Sequence, residues 1–201
     1  MAKKIKDAEI VTQKTESQKI ESQEVSQEPK LMRIDIGCGQ NKQPGYIGID
    51  VAGDADIIHD LDVYPWPFED NSIDVVFCSH YLEHSKEITK FMDECYRIMK
   101  PEAQMTIISP YYSSVRAMQD PFHINFISEM TFLYYNKKWR EDNKLDHYKI
   151  KKNTNFNYSY GYAFHPNWQT RSEEARNFAL IHYINVVTDI QVVMTKIAEE
   201  E

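Results

Sequence analysis

The stretch LMRIDIGCGQNKQPGYIGIDVAG, residues 31–53, decides how the chain folds. It opens on a short apolar run, Leu31–Ile36, breaks at two glycines one residue apart, and resumes as a second run, Tyr46–Asp50, that ends on a carboxylate. Five of the chain's six glycines lie between positions 37 and 53, which marks backbone that turns tightly or comes close to another molecule. Asp35, Gly37 and Gly39 spell D-x-G-x-G at the carboxyl end of the first run. There, missing Cβ atoms let a ligand lie against the main chain, and free N–H groups can donate to it. Ligands of open parallel sheets bind at this edge, near the switch in strand order. Asp50, ending the next run, is placed to accept both hydroxyls of a ribose. The dinucleotide pattern G-x-G-x-x-G is not completed, because Lys42 stands at its third glycine. With no ligand, the same residues read as a tight turn followed by a surface aspartate.

Outward from this loop, short apolar runs alternate with turn residues and one clear helix, the pattern of an alternating α/β domain. Strands are expected at Leu31–Ile36, Tyr46–Asp50, Ala55–His59, Ile73–Cys78 and Met105–Ser109, buried as parallel strands are. Ile88, Phe91, Met92, Cys95, Ile98 and Met99 recur at helical spacing, and Pro101 is expected to end that helix. Only Gln40–Gly45 separate the glycine loop from the second strand. A crossover helix needs about a dozen residues, so this connection must be a loop or a single turn. Further on, Ser128 is expected to cap a second helix. Phe156, Tyr158, Tyr160 and Tyr162 alternate as a strand with one aromatic face. Ser172 should cap a helix reaching about Val187, and Ile190–Ile197 should close the sheet.

The 201 residues suffice for one domain with appendages. No apolar run approaches the roughly 18 residues that span a bilayer, so no membrane partner is expected. Residues 1–30 hold six lysines, six acidic residues and no aromatic, too little apolar surface to offset ordering, and are expected to be a disordered tail. The first residues are basic without an apolar stretch behind them. Three cysteines form no C-x-x-C pair, which excludes a disulfide framework and a cysteine zinc site. A cytoplasmic location is expected. Lys137–Lys152 carry seven basic residues against three acidic, a local +4 that leaves −12 for the rest of a chain of net charge −8. That balance argues against a whole face gripping nucleic acid, while the basic stretch keeps a local contact possible.

DIGCG at 35–39, GIDV at 48–51, PFEDNSIDVVFCSHYLEH at 67–84 and ECYRIMKPEAQMTIISP at 94–110 stand in order. Together, over about residues 31–127, they resemble the class I S-adenosylmethionine-dependent methyltransferases, in particular the small type 11 like members. The resemblance implies an α/β, Rossmann-like fold over 31–197: a mostly parallel sheet, helices on both faces and a closing antiparallel strand. It implies S-adenosylmethionine as cofactor, with Asp35, Gly37, Cys38 and Gly39 at its methionine end, Asp50 on the ribose, and Asp60 with Leu61 on the adenine. Asp62 is the alternate for Asp60, and Ser79 joins the cofactor set from the end of the fourth strand. Two departures stand out. Asn41 replaces a common third glycine, and Lys100–Ala103 replaces a Lys-Pro-Gly-Gly turn.

Methyl transfer from a sulfonium needs in-line placement of the nucleophile, exclusion of water and sometimes a base; it requires no metal. His80, His84 and His123 are the candidate catalytic residues, beside Tyr81, Tyr111 and Tyr112. His84 and His123 are equally readable as structural. His80–His84 also spells H-x-x-E-H, a zinc signature that needs both histidines on one helix face. Here they follow a strand directly and no third ligand is evident, so no metal is expected. SPYY at 109–112 resembles an amino-methylating motif but lacks its second proline. Ten of 25 aromatics fall between Tyr134 and Trp168. Residues 136–171 are therefore expected to be an insertion or mobile cover on the acceptor side. The acceptor is expected to be a small molecule or glycan. The alternatives are an RNA or DNA methyltransferase using 137–152, or an inactive cofactor-binding interaction module.

Overall fold

The computed structural model describes residues 31–145 and 147–198; the expected tail at 1–30 lies outside the described residues. Seven strands form one sheet: β1 Arg33–Ile36, β2 Ile47–Asp50, β3 Ile57–Ile58, β4 Ile73–Ser79, β5 Met99–Pro110, β6 Phe156–Phe164 and β7 Val187–Lys196. Their spatial order is β3-β2-β1-β4-β5-β7-β6. The first five pair in parallel, and β7 runs antiparallel between β5 and β6. This is the mostly parallel, Rossmann-like sheet with an antiparallel strand that the motifs implied. The order reverses at β1 and β4, so the loops leaving these two strands flank the crevice where such sheets bind ligands.

The sheet's centre is mostly apolar. Ile34, Ile36, Ile49, Ile73 and Val76 are completely buried, each contributing about 1.5–3 kcal/mol by leaving water. Helix α1, Ile88–Ile98, makes the β4–β5 crossover and buries Phe91, Met92, Cys95 and Ile98 on one face. The β1–β2 connection holds no helix, in agreement with its length. It is tied down instead by Gln43 N–H donating to Asp35 Oδ2 at 2.8 Å and by a Lys42–Asp56 ion pair at 2.8 Å.

Several boundaries differ from expectation. Pro101 does not end α1: the helix stops at Ile98, Met99 is already extended, and Pro101 lies inside β5, where the pairing register with β4 shifts. Glu102 there takes φ +64°, the left-handed conformation that a glycine at this turn adopts without strain. Ser128 starts a short 3-10 helix, Glu129–Tyr135, with a capping box. The Ser172-capped helix ends at His182, because β7 begins at Val187. Shorter helices occupy Val115–Gln119 (α2), Lys137–Asp142 (α3) and Pro166–Gln169 (α4); the Ser172-capped helix, Glu173–His182, is α5.

The aromatic strand is β6. Its rings follow one another along one face, stacked for Tyr158–Tyr160 (centroids 6.3 Å apart), tilted for Tyr160–Tyr162 (5.4 Å) and edge to face for Tyr162–Phe164 (6.0 Å). Pairing of Phe156 with Lys196 puts the start of β6 at the end of the sheet opposite the glycine loop. The basic segment before it is anchored there too: Arg140 donates to the Tyr134 and Thr154 carbonyls, and Asp93 of α1 accepts the Thr154 hydroxyl.

Candidate functional site

Gly37 and Gly39 follow β1 with φ of +68° and +51°. A Cβ on Gly37 would stand 2.7 Å from the Tyr81 Cβ, whereas one on Gly39 would meet nothing within 4 Å. Gly37 is thus needed for packing, and Gly39 borders open space. That space is a cavity of about 310 Å³ lined by Asp35, Gly37, Cys38, Gly39, Gln40, Asn41, Gln43, Phe77, Ser79 and His80. The ends of β1 and β4 therefore bring five of the expected cofactor residues and one expected catalytic histidine to one hollow.

The loop's N–H groups are less free than the sequence suggested. Gly37 N–H donates to the Ile49 carbonyl, and Gly39 N–H donates to Asp50 Oδ2, both at 2.9 Å. Asp50 Oδ1 accepts from Val51 N–H at 2.6 Å. Asp50 thus organises the loop. Ala52 N–H also donates to Asp50 Oδ1, at 3.4 Å, so the second lone pair of Oδ2 is what remains for a ribose hydroxyl. Asp35 is 2% exposed; burial pushes its carboxyl up, against the lowering effect of the Gln43 N–H. Burial likewise raises the Cys38 thiol, so it lines the cavity as a neutral group.

Asp60 and Leu61 do not line this cavity. Asp60 is exposed and its Oδ1 accepts the Asp62 N–H at 3.0 Å, while Leu61 is buried with its carbonyl accepting the Trp66 indole N–H. Asp62 is engaged by Lys86 Nζ at 3.1 Å, which leaves Asp60 the freer carboxylate of the two.

The three candidate histidines converge on a residue that sequence reasoning left out. Glu83 is 2% exposed; its Oε1 lies 3.2 Å from His80 Nδ1 and its Oε2 accepts the Ser109 hydroxyl at 3.0 Å. Burial is the largest influence on the Glu83 carboxyl and pushes it up. Hydrogen bonds from His80, its own backbone and Ser109, with the His80 charge, together outweigh that and hold it below the usual range. His80 itself takes φ +56°, a strained conformation for a non-glycine residue that turns its ring toward the crevice edge. On its other side, Asp189 Oδ1 is 4.0 Å from His80 Nε2 and has no hydrogen-bond partner, while Asp189 Oδ2 accepts from Arg116 at 2.6 Å. The His84 and His123 rings meet edge to face at 4.7 Å. Glu83 was visible only as a letter in H-x-x-E-H. Asp189 carried no local signal, since β7 brings it in from the far end of the chain, where Arg116 of α2 meets it.

Comparison with known proteins agrees with this geometry. Residues 34–107 match the family model described as a methyltransferase domain. No curated protein matches the sequence. Among solved structures, an S-adenosylmethionine-dependent methyltransferase from Archaeoglobus fulgidus superposes with TM-score 0.57 at 20% identity, covering 83% of this chain and 86% of that one. The putative methyltransferase complexed with the Trm112 activator of Haloferax volcanii gives 0.54 at 14%, covering 85% and 84%. The plantazolicin methyltransferase BpumL, in complex with a triazolic desmethylPZN analogue and SAH, gives 0.52 at 14%, covering 84% and 77%. These likenesses establish the fold, and residues 34–107 are similar in sequence to a methyltransferase domain. Over residues 34–107 and in its fold, the chain is similar to S-adenosylmethionine-dependent methyltransferases. The residues present fit S-adenosylmethionine, because the loop opens at Gly39 on a hollow lined by the buried Asp35 carboxylate, while Asp50, outside that lining, holds the Gly39 N–H.

Proposed function

We propose that the protein methylates an oxygen or nitrogen of a small-molecule or glycan acceptor held against His80. The observation that carries this is the presence of His80 in the same cavity as Asp35, Gly37, Gly39 and Ser79. S-adenosylmethionine supplies an electrophilic methyl group on a sulfonium. Asp35 would receive its ammonium, Asp50 a ribose hydroxyl, and Asp60 with the Leu61 backbone its adenine. Cys38 and Ser79 complete the walls.

A carboxylate only accepts, so the contact with Glu83 assigns the proton of neutral His80 to Nδ1 and leaves an Nε2 lone pair to take the acceptor's proton. Glu83 and the unpartnered Asp189 oxygen then stabilise the imidazolium from both sides. The ring is oriented as general bases are, by a buried carboxylate behind it. His84 and His123 act beside it rather than on the acceptor.

The acceptor assignment is supported by charge and placement. Lys137–Lys152 sits at the edge of the sheet away from Gly37–Gly39, which disfavours use of that segment to hold RNA or DNA over the methyl donor. The cover is assigned accordingly to residues 112–126 and 165–171, which follow β5 and β6 at the cofactor end, with 143–155 taking no part. Cys38, Cys78 and Cys95 are buried free thiols, and no described helix is long and apolar enough to cross a membrane; the thiols support a cytoplasmic location. The test is turnover: formation of S-adenosylhomocysteine across a panel of phenols, amines, sugars and oligonucleotides. Turnover confined to oligonucleotides would reverse the acceptor assignment, and binding without turnover on any acceptor would favour an interaction module.

A further inference from the structure

Glu83, His84 and His123 each offer a ligand atom, and these atoms lie within 4.8 Å of one another. The residues come from the turn after β4 and the segment after β5, which are fastened together by backbone. The Glu83 carbonyl accepts N–H groups of Ile124 and Asn125, and the Asn125 amide donates to the Leu82 and Ser85 carbonyls. His84 Nδ1 stands 3.2 Å from the Phe122 carbonyl and His123 Nδ1 3.1 Å from the Ala117 carbonyl. A carbonyl only accepts, so both protons are assigned to Nδ1 and both Nε2 atoms present lone pairs. Metal-binding histidines are held in this way, with the second ring nitrogen donating to a carbonyl. Beside them lies a buried carboxylate whose oxygens each keep a lone pair beyond the bonds to His80 and Ser109. Asp120 Oδ2, 3.8 Å from His123 Nε2, adds negative charge.

We infer that Glu83, His84 and His123 form a binding site for a divalent first-row cation of the Mn²⁺ to Zn²⁺ series. Two imidazoles and a carboxylate suit that series, whereas Mg²⁺ and Ca²⁺ favour all-oxygen sets. Ligand atoms bound at about 2.0–2.2 Å around a tetrahedral ion stand roughly 3.3–3.6 Å apart, so the set closes by side-chain rotations of at most about 1.5 Å. Three protein ligands leave coordination positions open, next to the residue that contacts His80. The site differs from the H-x-x-E-H signature, whose first histidine is not part of it and whose missing third ligand is supplied by His123, 39 positions after His84 in sequence and in ring contact with it. It rests on these side chains alone and stands whatever the methyl acceptor is.

The test uses the full chain, stripped with a chelator and dialysed, then titrated calorimetrically with ZnCl₂, MnCl₂ and MgCl₂. One equivalent of Zn²⁺ or Mn²⁺ should bind, raising Tm by about 5–10 °C at a hundred times Kd, with Mg²⁺ binding far more weakly. His123→Asn and His84→Asn should each weaken binding about tenfold or more, while His80→Ala keeps one equivalent; circular dichroism verifies that each variant is folded. Cobalt substitution should give ligand-field absorption in the wild type that His123→Asn lacks. No binding of either ion at millimolar concentration, or binding that survives loss of His123 and disappears with His80, would overturn the site.

Discussion

At the residue scale, the two loop glycines have opposite reasons to be glycine. Gly37→Ala drives a Cβ into Tyr81 in a left-handed conformation, and should cost about 3 kcal/mol of stability, read as a fall in urea midpoint. Gly39→Ala carries only the backbone strain of about 1 kcal/mol, because its Cβ faces the cavity. Asp35 shows the reverse trade between stability and function. Its folded-state carboxyl is raised by burial, so the stability it contributes is present below the unfolded value near 3.9 and is lost as pH rises through the folded value. At pH 7 the wild type therefore bears the desolvation cost in full, and Asp35→Asn should raise Tm while weakening S-adenosylmethionine binding; a variant that melts lower would refute this. His80→Gln should lower kcat by about 10²–10⁴-fold with little change in the KM for S-adenosylmethionine. Equal kcat in the variant would remove His80 as base.

At the scale of elements, what could be seen in the sequence was what local pattern determines. The glycine loop, the amphipathic α1 and the alternating aromatics of β6 each occupy fewer than a dozen consecutive residues, and their types follow from spacing alone. The closing strand β7 was legible as a strand, but its position between β5 and β6 was not, since it depends on pairings such as Pro110 with Asp189, 79 positions away. For the same reason the basic segment was expected over the pocket, although the strand after it starts at the far edge. Asp93 holds that segment on α1 through the Thr154 hydroxyl and the Lys151 N–H. Thr154→Val should accordingly speed hydrogen exchange in 143–155 and leave cofactor affinity within about twofold. Protection of 112–126 should rise when cofactor and acceptor are both present, while 143–155 stays unchanged. Coupling of 143–155 to cofactor would restore the whole 136–171 stretch as a cover.

At the scale of the whole molecule, one end of the sheet gathers the residues of the proposed site and the other anchors the basic segment. β1 ends in the glycine loop, β4 in His80, β5 in the segment carrying His123, and β7 starts by delivering Asp189 to the same end. Glu83 was hidden as a functional residue because its partners, Ser109 and the His123 segment, follow it by 26 residues or more and meet it only when this end assembles. The central claim is that S-adenosylmethionine binds between Gly37–Gly39 and Ser79–His80. Calorimetric titration of the cofactor into wild type and Gly39→Ala, both verified as folded, tests it most directly. The account predicts one site in the wild type and at least a tenfold loss of affinity in Gly39→Ala, because the added methyl group occupies the cavity. Equal affinity in the two proteins would contradict it.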